Sequence, residues 1–322
     1  MRAWHHPLPG AVRAGLVRGA RTGWFLVRII IPLSAGVAIL DYTGILEWIG
    51  RQLAPVMGLF GLPGEAALPL VSGFFAGVYG GVAAASAITL TKVQMTVLAM
   101  IILVAHNLVV EGTIESRSGT SGLMVTAVRI VTGFVLGALL WQVLRHGDQG
   151  PLLAAHSAEG AKGATFGAFA AAWAAGAAKL LVKIFVIVGG LMIATEIMRA
   201  YGLFHALQRP MRPFMRFLGL SDRVTILWLT ATFLGIAYGA GLIIQEANER
   251  GRFEPGDLRD LHVSIGISHS LIEDTLLFMA IGANPLWVLL PRPFAAAVVV
   301  RAVRRFVPDR PVPGIAPAKE DA

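Results

Sequence analysis

The 322 residues include no cysteine, and only 14% are Asp, Glu, Lys or Arg. The first absence excludes disulfides, thiolate metal sites and cysteine nucleophiles. The second excludes an ordinary water-exposed surface, because soluble domains carry about 25% charged residues. The GxxxxGK[ST] phosphate loop, the HExxH zinc helix and the GxSxG elbow are also missing, so no enzyme class built on them is expected. An acid–base pair of Glu273 or Asp274 with His269, acting on a lipid head group, has the right residue types but no motif behind it. The N-terminus lacks a signal-peptide pattern: Arg2, Arg13, Arg18 and Arg21 spread over a long lead-in with no small-residue cleavage site.

What the chain has in quantity is apolar length. Hydrophobic residues make up 56% of it. Runs at 24–40, 66–90, 93–110, 122–144, 180–194, 224–244 and 285–300 approach the roughly 20 residues that cross a bilayer. The net charge of +8 comes from arginines flanking these runs, which reads as anchoring at an anionic membrane face and not as nucleic-acid binding. The bilayer is thus the first expected partner.

The chain also repeats itself. Leu26-Val27-Arg28-Ile29 lies over Leu181-Val182-Lys183-Ile184, 155 positions on. Gly77 and Gly81 lie over Gly235 and Gly239 at a shift of 158, while His106, Glu111 and Arg129 lie over His269, Asp274 and Arg292 at 163. The shift grows only between apolar runs, where loops tolerate insertion. The expected organisation is an amphipathic N-terminal segment 1–23, a first membrane repeat 24–145, a polar linker 146–165, a second repeat 166–306 and a flexible tail 307–322. After its first run, the first half carries Asp41, Glu47 and Glu65 against Arg51. The second carries Arg199, Arg209, Arg212, Arg216 and Arg223 against Asp222. The positive-inside rule then places these segments on opposite sides, with both chain ends in the cytoplasm. The expected fold is an all-α polytopic helical bundle of two inverted repeats with broken or re-entrant helices. Inversion needs an odd number of crossings per half, so either 44–60 crosses or one longer run is re-entrant.

Three groups of residues are candidates for chemistry. The glycines Gly77, Gly81, Gly235 and Gly239, with Tyr79, Tyr238 and Gln245 near them, fit either close helix packing or a broken helix lining a substrate site. The segments His106-Asn107…Glu111 and His269-Ser270…Glu273-Asp274 put ionisable residues into apolar context, where each costs about 2.5–3.5 kcal/mol on insertion scales. A charge at that cost usually has a partner or a task, the alternative being that these residues lie near a span end and meet water. Imidazole and carboxylate together suit a divalent cation or a proton relay, so His106, His269, Glu273 and Asp274 are the expected metal ligands. Arg129 and Arg292 are the expected charge partners of Glu111 and Asp274, with anion binding or snorkelling as alternatives.

The stretch GFFAGVYGGVAAASAIT followed by AHNLVVEGTI, and FLGIAYGAGLIIQEA followed by SHSLIEDTLLF, resemble the nucleoside-recognition or Gate domain. That domain is shared by concentrative nucleoside transporters, the membrane part of ferrous-iron transporter B, and spore maturation proteins A and B. The resemblance implies a multi-pass protein of the bacterial inner membrane, a permease for a nucleoside or a metal cation such as ferrous iron. It equally allows a non-transporting component of a larger assembly. No cofactor is implied beyond a coupling cation or proton, and a homodimer or a membrane partner protein is left open.

Overall fold

A computed structural model describes residues 8–147, 150–152, 165–247, 253–254 and 256–307; the side chains of 151–152, 234, 236–243 and 246–247 also lie outside the description. The linker and the tail expected at 146–165 and 307–322 fall largely outside these residues. Among the described residues, seven helical segments are long and apolar enough to cross a membrane: Leu8–Tyr42, Gly64–Ala85, Lys92–Arg117, Gly122–Leu144, Phe166–Ala200, Asp257–Ala280 and Pro285–Phe306. The protein is an all-α multi-pass membrane protein; the one pair of two-residue strands joins Leu90 to Leu152.

The backbone itself carries the repeat. Left-handed φ values occur at Gly44 and Gly202, Gly61 and Gly219, and Gly77 and Gly235, each pair 158 apart. They recur at Asn107 and Ser270, and at Gly119 and Gly282, each pair 163 apart. Turns and helix breaks therefore fall at the same register in both halves.

Helix α1 (Leu8–Tyr42) runs unbroken through residue 23, so the described part of the N-terminal segment continues into the first span. The reason is its small-residue face: Gly15, Gly19 and Gly23 are buried against Ile193, Gly189 and Phe185 of α7 (Phe166–Ala200). Contact positions descend in α7 as they ascend in α1, and Tyr42 reaches Phe166 and Phe169, so the two helices are antiparallel. These are repeat-equivalent helices. Backbones approach this closely only where Cβ atoms are absent.

The connector α2 (Ile45–Met57) has 13 residues, or about 20 Å of helix. That is too short to cross; it lies with Leu46 and Gly50 buried and Trp48, Leu53 and Val56 exposed. Helix α3 (Ala67–Ala85) doubles back at Gly77, where φ is 76° and ψ is −174°. A Cβ on Gly81 would stand 3.5 Å from Gly73 Cα, whereas eight residues of straight helix separate those positions by about 12 Å. Gln94 Nε2 also donates to Gly61 O at 3.1 Å, joining the residues before and after this hairpin. The second half repeats the kink in α9 (Thr225–Ala247) at Gly235, φ 76° and ψ 158°.

Helix α4 (Lys92–Val104) continues after a break at 105–107 into α5 (Leu108–Arg117). Antiparallel to both packs α6 (Gly122–Leu144), with Gly122 on Gly112 and Gly137 on Ile101. The counterpart α10 (Asp257–Ser268) breaks at 269–272 before α11 (Glu273–Ala280). Two helices complete the described residues, α12 (Pro285–Leu289) and α13 (Pro291–Phe306). Between α7 and α9, α8 (Leu203–Leu218) occupies the place of α2.

The α1–α7 contact predicts a graded response to added methyl groups. In Gly15→Ala the new Cβ would lie 2.5 Å from Ile193 Cα, a backbone atom that cannot yield without moving α7. Overpacking of this kind costs about 1–3 kcal/mol, so the thermal unfolding midpoint in detergent should fall. Gly10→Ala, with nothing within 4 Å of its Cβ, should leave it unchanged.

Candidate functional site

The two breaks meet. His106 and His269, equivalent residues of the two halves, face each other with Nε2 atoms 3.1 Å apart and ring centroids 4.8 Å apart. Both are buried. Each ring is held by its other nitrogen: Nδ1 lies 3.2 Å from Ile102 O in His106 and 2.6 Å from Ile265 O in His269. A carbonyl oxygen only accepts, so Nδ1 carries the proton in both rings and donates it. A neutral ring of that tautomer has a lone pair on Nε2. Two such lone pairs point at one another.

Glu111 adds a third acceptor. Its Oε1 lies 3.5 Å from each Nε2. The three atoms form a triangle of sides 3.1, 3.5 and 3.5 Å with no donor among them. Its centre is about 2.0 Å from every corner, the length of a bond from a transition metal to nitrogen or oxygen. Asp274 Oδ2 stands 3.8 Å from His106 Nε2, a fourth oxygen at the margin. Chemically this arrangement can share a proton between the two imidazoles, or hold one divalent cation on two nitrogens and a carboxylate.

Arg129 fixes this geometry. It is fully buried, and its Nη1 lies 2.7 Å from Glu111 Oε2, the oxygen turned away from the histidines. Its Nε donates to Val104 O (2.9 Å) and its Nη2 to His106 O (2.8 Å), carbonyls at the break after α4. Gly266 of α10 leaves room for its stem, since a Cβ there would sit 3.0 Å from Arg129 Cδ. Arg292 is equally buried and donates to Leu271 O, Thr275 Oγ1 and Val288 O. The expected Asp274–Arg292 pair is not closed at ion-pair distance. Thr275 stands where the first half has Gly112, and its hydroxyl takes the guanidinium at 2.6 Å.

The remaining expected residues divide. Asn107 adopts φ 52° and donates its N–H to Gly73 O at 2.9 Å, tying the break to the hairpin. Ser270 adopts φ 45° beside Gly235. Glu273 accepts a hydrogen bond from Tyr79, joining the first hairpin to the second half instead of joining the triangle. Gly81 packs inside the hairpin against Ile102, and Gln245 is exposed away from the cluster. Tyr238 and the surroundings of Gly239 lie outside the described side chains. Glu115 and His262 are among the buried residues that escaped the sequence reading. A signal existed for both: Glu115 follows Glu111 by four and His262 precedes His269 by seven, the spacings of one helix face.

The Glu111–Arg129 contact yields a double-mutant test. Glu111→Gln strands a buried guanidinium, and breaking such a pair costs about 3–5 kcal/mol. Arg129→Gln should cost at least as much, because it also releases the carbonyls of Val104 and His106. Unfolding in detergent should show the double variant clearly better than the sum of the two; strict additivity would mean no coupling.

With this geometry in place, comparison with known proteins is informative. Residues 24–138 match the Gate family, described as nucleoside recognition. The chain is 33% identical over 281 residues to the uncharacterized membrane protein YvoD of Bacillus subtilis, covering 86% of this chain and 88% of YvoD. A shorter likeness, 34% over 83 residues, relates 23% of the chain to 54% of the inner membrane protein YjiG of Escherichia coli K12. No solved structure matches the chain. The matched residues 24–138 contain the first hairpin, the first broken helix, His106, Glu111 and Arg129, and the full-length likeness extends over the second half, so the chain belongs to the Gate (nucleoside-recognition) family of membrane proteins.

Proposed function

We propose that this protein is a permease for a divalent transition-metal cation, with His106, His269 and Glu111 as its central coordination station. The observation that carries the reading is the donor-free triangle of 3.1, 3.5 and 3.5 Å buried among apolar helices. Mutual repulsion of three acceptors is relieved only by a proton or a cation between them. Backbone carbonyls orient both rings and Arg129 orients the carboxylate, the outer-shell support that metal ligands need. The donor set of imidazole and carboxylate without thiolate suits Zn2+, Fe2+, Mn2+ or Co2+. Arg129 is committed to two carbonyls and to Glu111, which leaves it unavailable to an anionic cargo. The alternative of a non-transporting membrane component predicts binding without flux.

The arrangement proposed around this station is an inverted pair. Each half contributes three crossings, namely α1, α4–α5 and α6, then α7, α10–α11 and α13, plus one hairpin that returns to its own side. Three is odd, which answers the parity problem of the sequence without asking α2 to cross. Both termini then lie on the cytoplasmic side of a bacterial inner membrane, by the arginine distribution.

Two experiments follow. Cobalt titrated into the purified protein should bind with a visible d–d spectrum, and His106→Ala, His269→Ala or Glu111→Ala should each weaken binding by more than the roughly 10- to 100-fold lost with an outer-shell partner. Proteoliposomes holding a chelating fluorophore should fill with metal through the wild type and not through His269→Ala. Equal binding and flux in the variants would remove the triangle from function. For topology, Arg51→Cys and Arg209→Cys, each made alone in this cysteine-free chain, should be labelled by an impermeant reagent from opposite sides; labelling from one side excludes inversion.

A further inference from the structure

From the triangle, the two ends of the molecule are not equivalent. Toward one end run α5 and the first turns of α10. One turn beyond Glu111, Glu115 is fully buried, and neither carboxylate oxygen has a hydrogen-bond partner. Two turns before His269 on α10, His262 is buried with Nδ1 2.6 Å from Leu258 O and 3.0 Å from Thr120 Oγ1, and with Nε2 2.8 Å from Ser118 Oγ. The side chains of Glu115, Ser118, Thr120 and His262 thus make a buried polar cluster between the triangle and that end. The same four positions of the repeat, 163 residues away, face the opposite end. They are Phe278, Ile281, Ala283 and Ala99, every one apolar. Phe278, Ala283 and Ala99 are buried. On that opposite side Tyr79 also bonds Glu273, while the corresponding positions are Ala237 and Val110.

A buried carboxylate without a partner is among the most expensive groups a membrane helix can carry. Packing gives no reason for it, since its repeat counterpart is satisfied by Phe278. We infer that Glu115, with His262 behind it, is a second station for the cation, on a one-sided polar route between the central triangle and the end where α10 begins. That end is fixed by contacts: Arg304 bonds Asp260 and Gly219 O, and Arg259 donates to Val307 O, so the basic end of α13 and the connector α8–α9 lie there. By the arginine distribution this is the cytoplasmic end. The inference rests on the cation reading of the triangle and adds the direction in which the site opens.

The test separates binding from passage. Cobalt binding by its d–d spectrum and metal flux into proteoliposomes are measured on wild type, Glu115→Gln and Glu115→Asp. The expected result is an unchanged tight cobalt site at the triangle in all three, loss of a second, weaker cobalt equivalent with flux at least 10-fold lower in Glu115→Gln, and both largely restored in Glu115→Asp. Wild-type flux in Glu115→Gln overturns the second station. So does loss of the cobalt spectrum in that variant, which would make Glu115 part of the central site. A wild-type protein that binds no cobalt defeats the cation reading itself, a different outcome from either.

Discussion

A helix interrupted inside an apolar slab exposes backbone carbonyls and amides that water cannot reach, and each must find a partner within the protein. Everything at the centre of this molecule follows from how that demand is met. Arg129 reaches from α6 to the carbonyls of Val104 and His106, and Arg292 from α13 to that of Leu271. The Asn107 amide goes to Gly73 O in the hairpin. These bonds make the breaks rigid, so the histidines they carry are held face to face instead of being free to swing apart. The arginine charge brought in for the backbone is then balanced by Glu111, whose other oxygen completes the triangle. Backbone satisfaction and site construction are one arrangement.

The near-symmetry of the halves explains why the site sits where it does, and the departures from it explain what each half adds. Equivalent helices α1 and α7 pack antiparallel through glycine, and equivalent histidines meet at the centre. Yet Glu111 lies at ion-pair distance from Arg129, whereas Arg292 turns its Nη2 to Thr275, which stands in the place of Gly112, and not to Asp274. Tyr79 and Glu273 bond across the halves at positions whose counterparts are Ala237 and Val110. A near-symmetric scaffold thus carries different side chains at equivalent positions of its two halves.

Much of this was legible in the sequence, for a physical reason. Chain duplication preserves spacing, so the shifts of 158 and 163 found the hairpin glycines, both histidines, Asn107, Ser270 and both arginines without any structure. Contacts between segments were harder. An apolar run of the length of 66–90 is the same whether straight or folded at its middle, and only the φ of Gly77 distinguishes them. The N-terminal arginines suggested an amphipathic helix running into the first span, whereas the glycine face that packs α1 on α7 went unread. Expecting Glu273 among the ligands failed to foresee Tyr79 arriving from the other half. Glu115 and His262 were missed because a search for residues present in both halves passes over what only one half has.

The central claim is that one cation can take two imidazole nitrogens, one from each half, and the Glu111 carboxylate at once. X-ray absorption at the cobalt edge of the metal-loaded protein tests it most directly. The account predicts a first shell near 2.0 Å, in the range of metal–imidazole and metal–carboxylate bonds, with the outer-shell scattering of two imidazole rings, reduced to one ring in His269→Ala. A shell of oxygen alone, or two-ring scattering that survives the loss of His269, would contradict it.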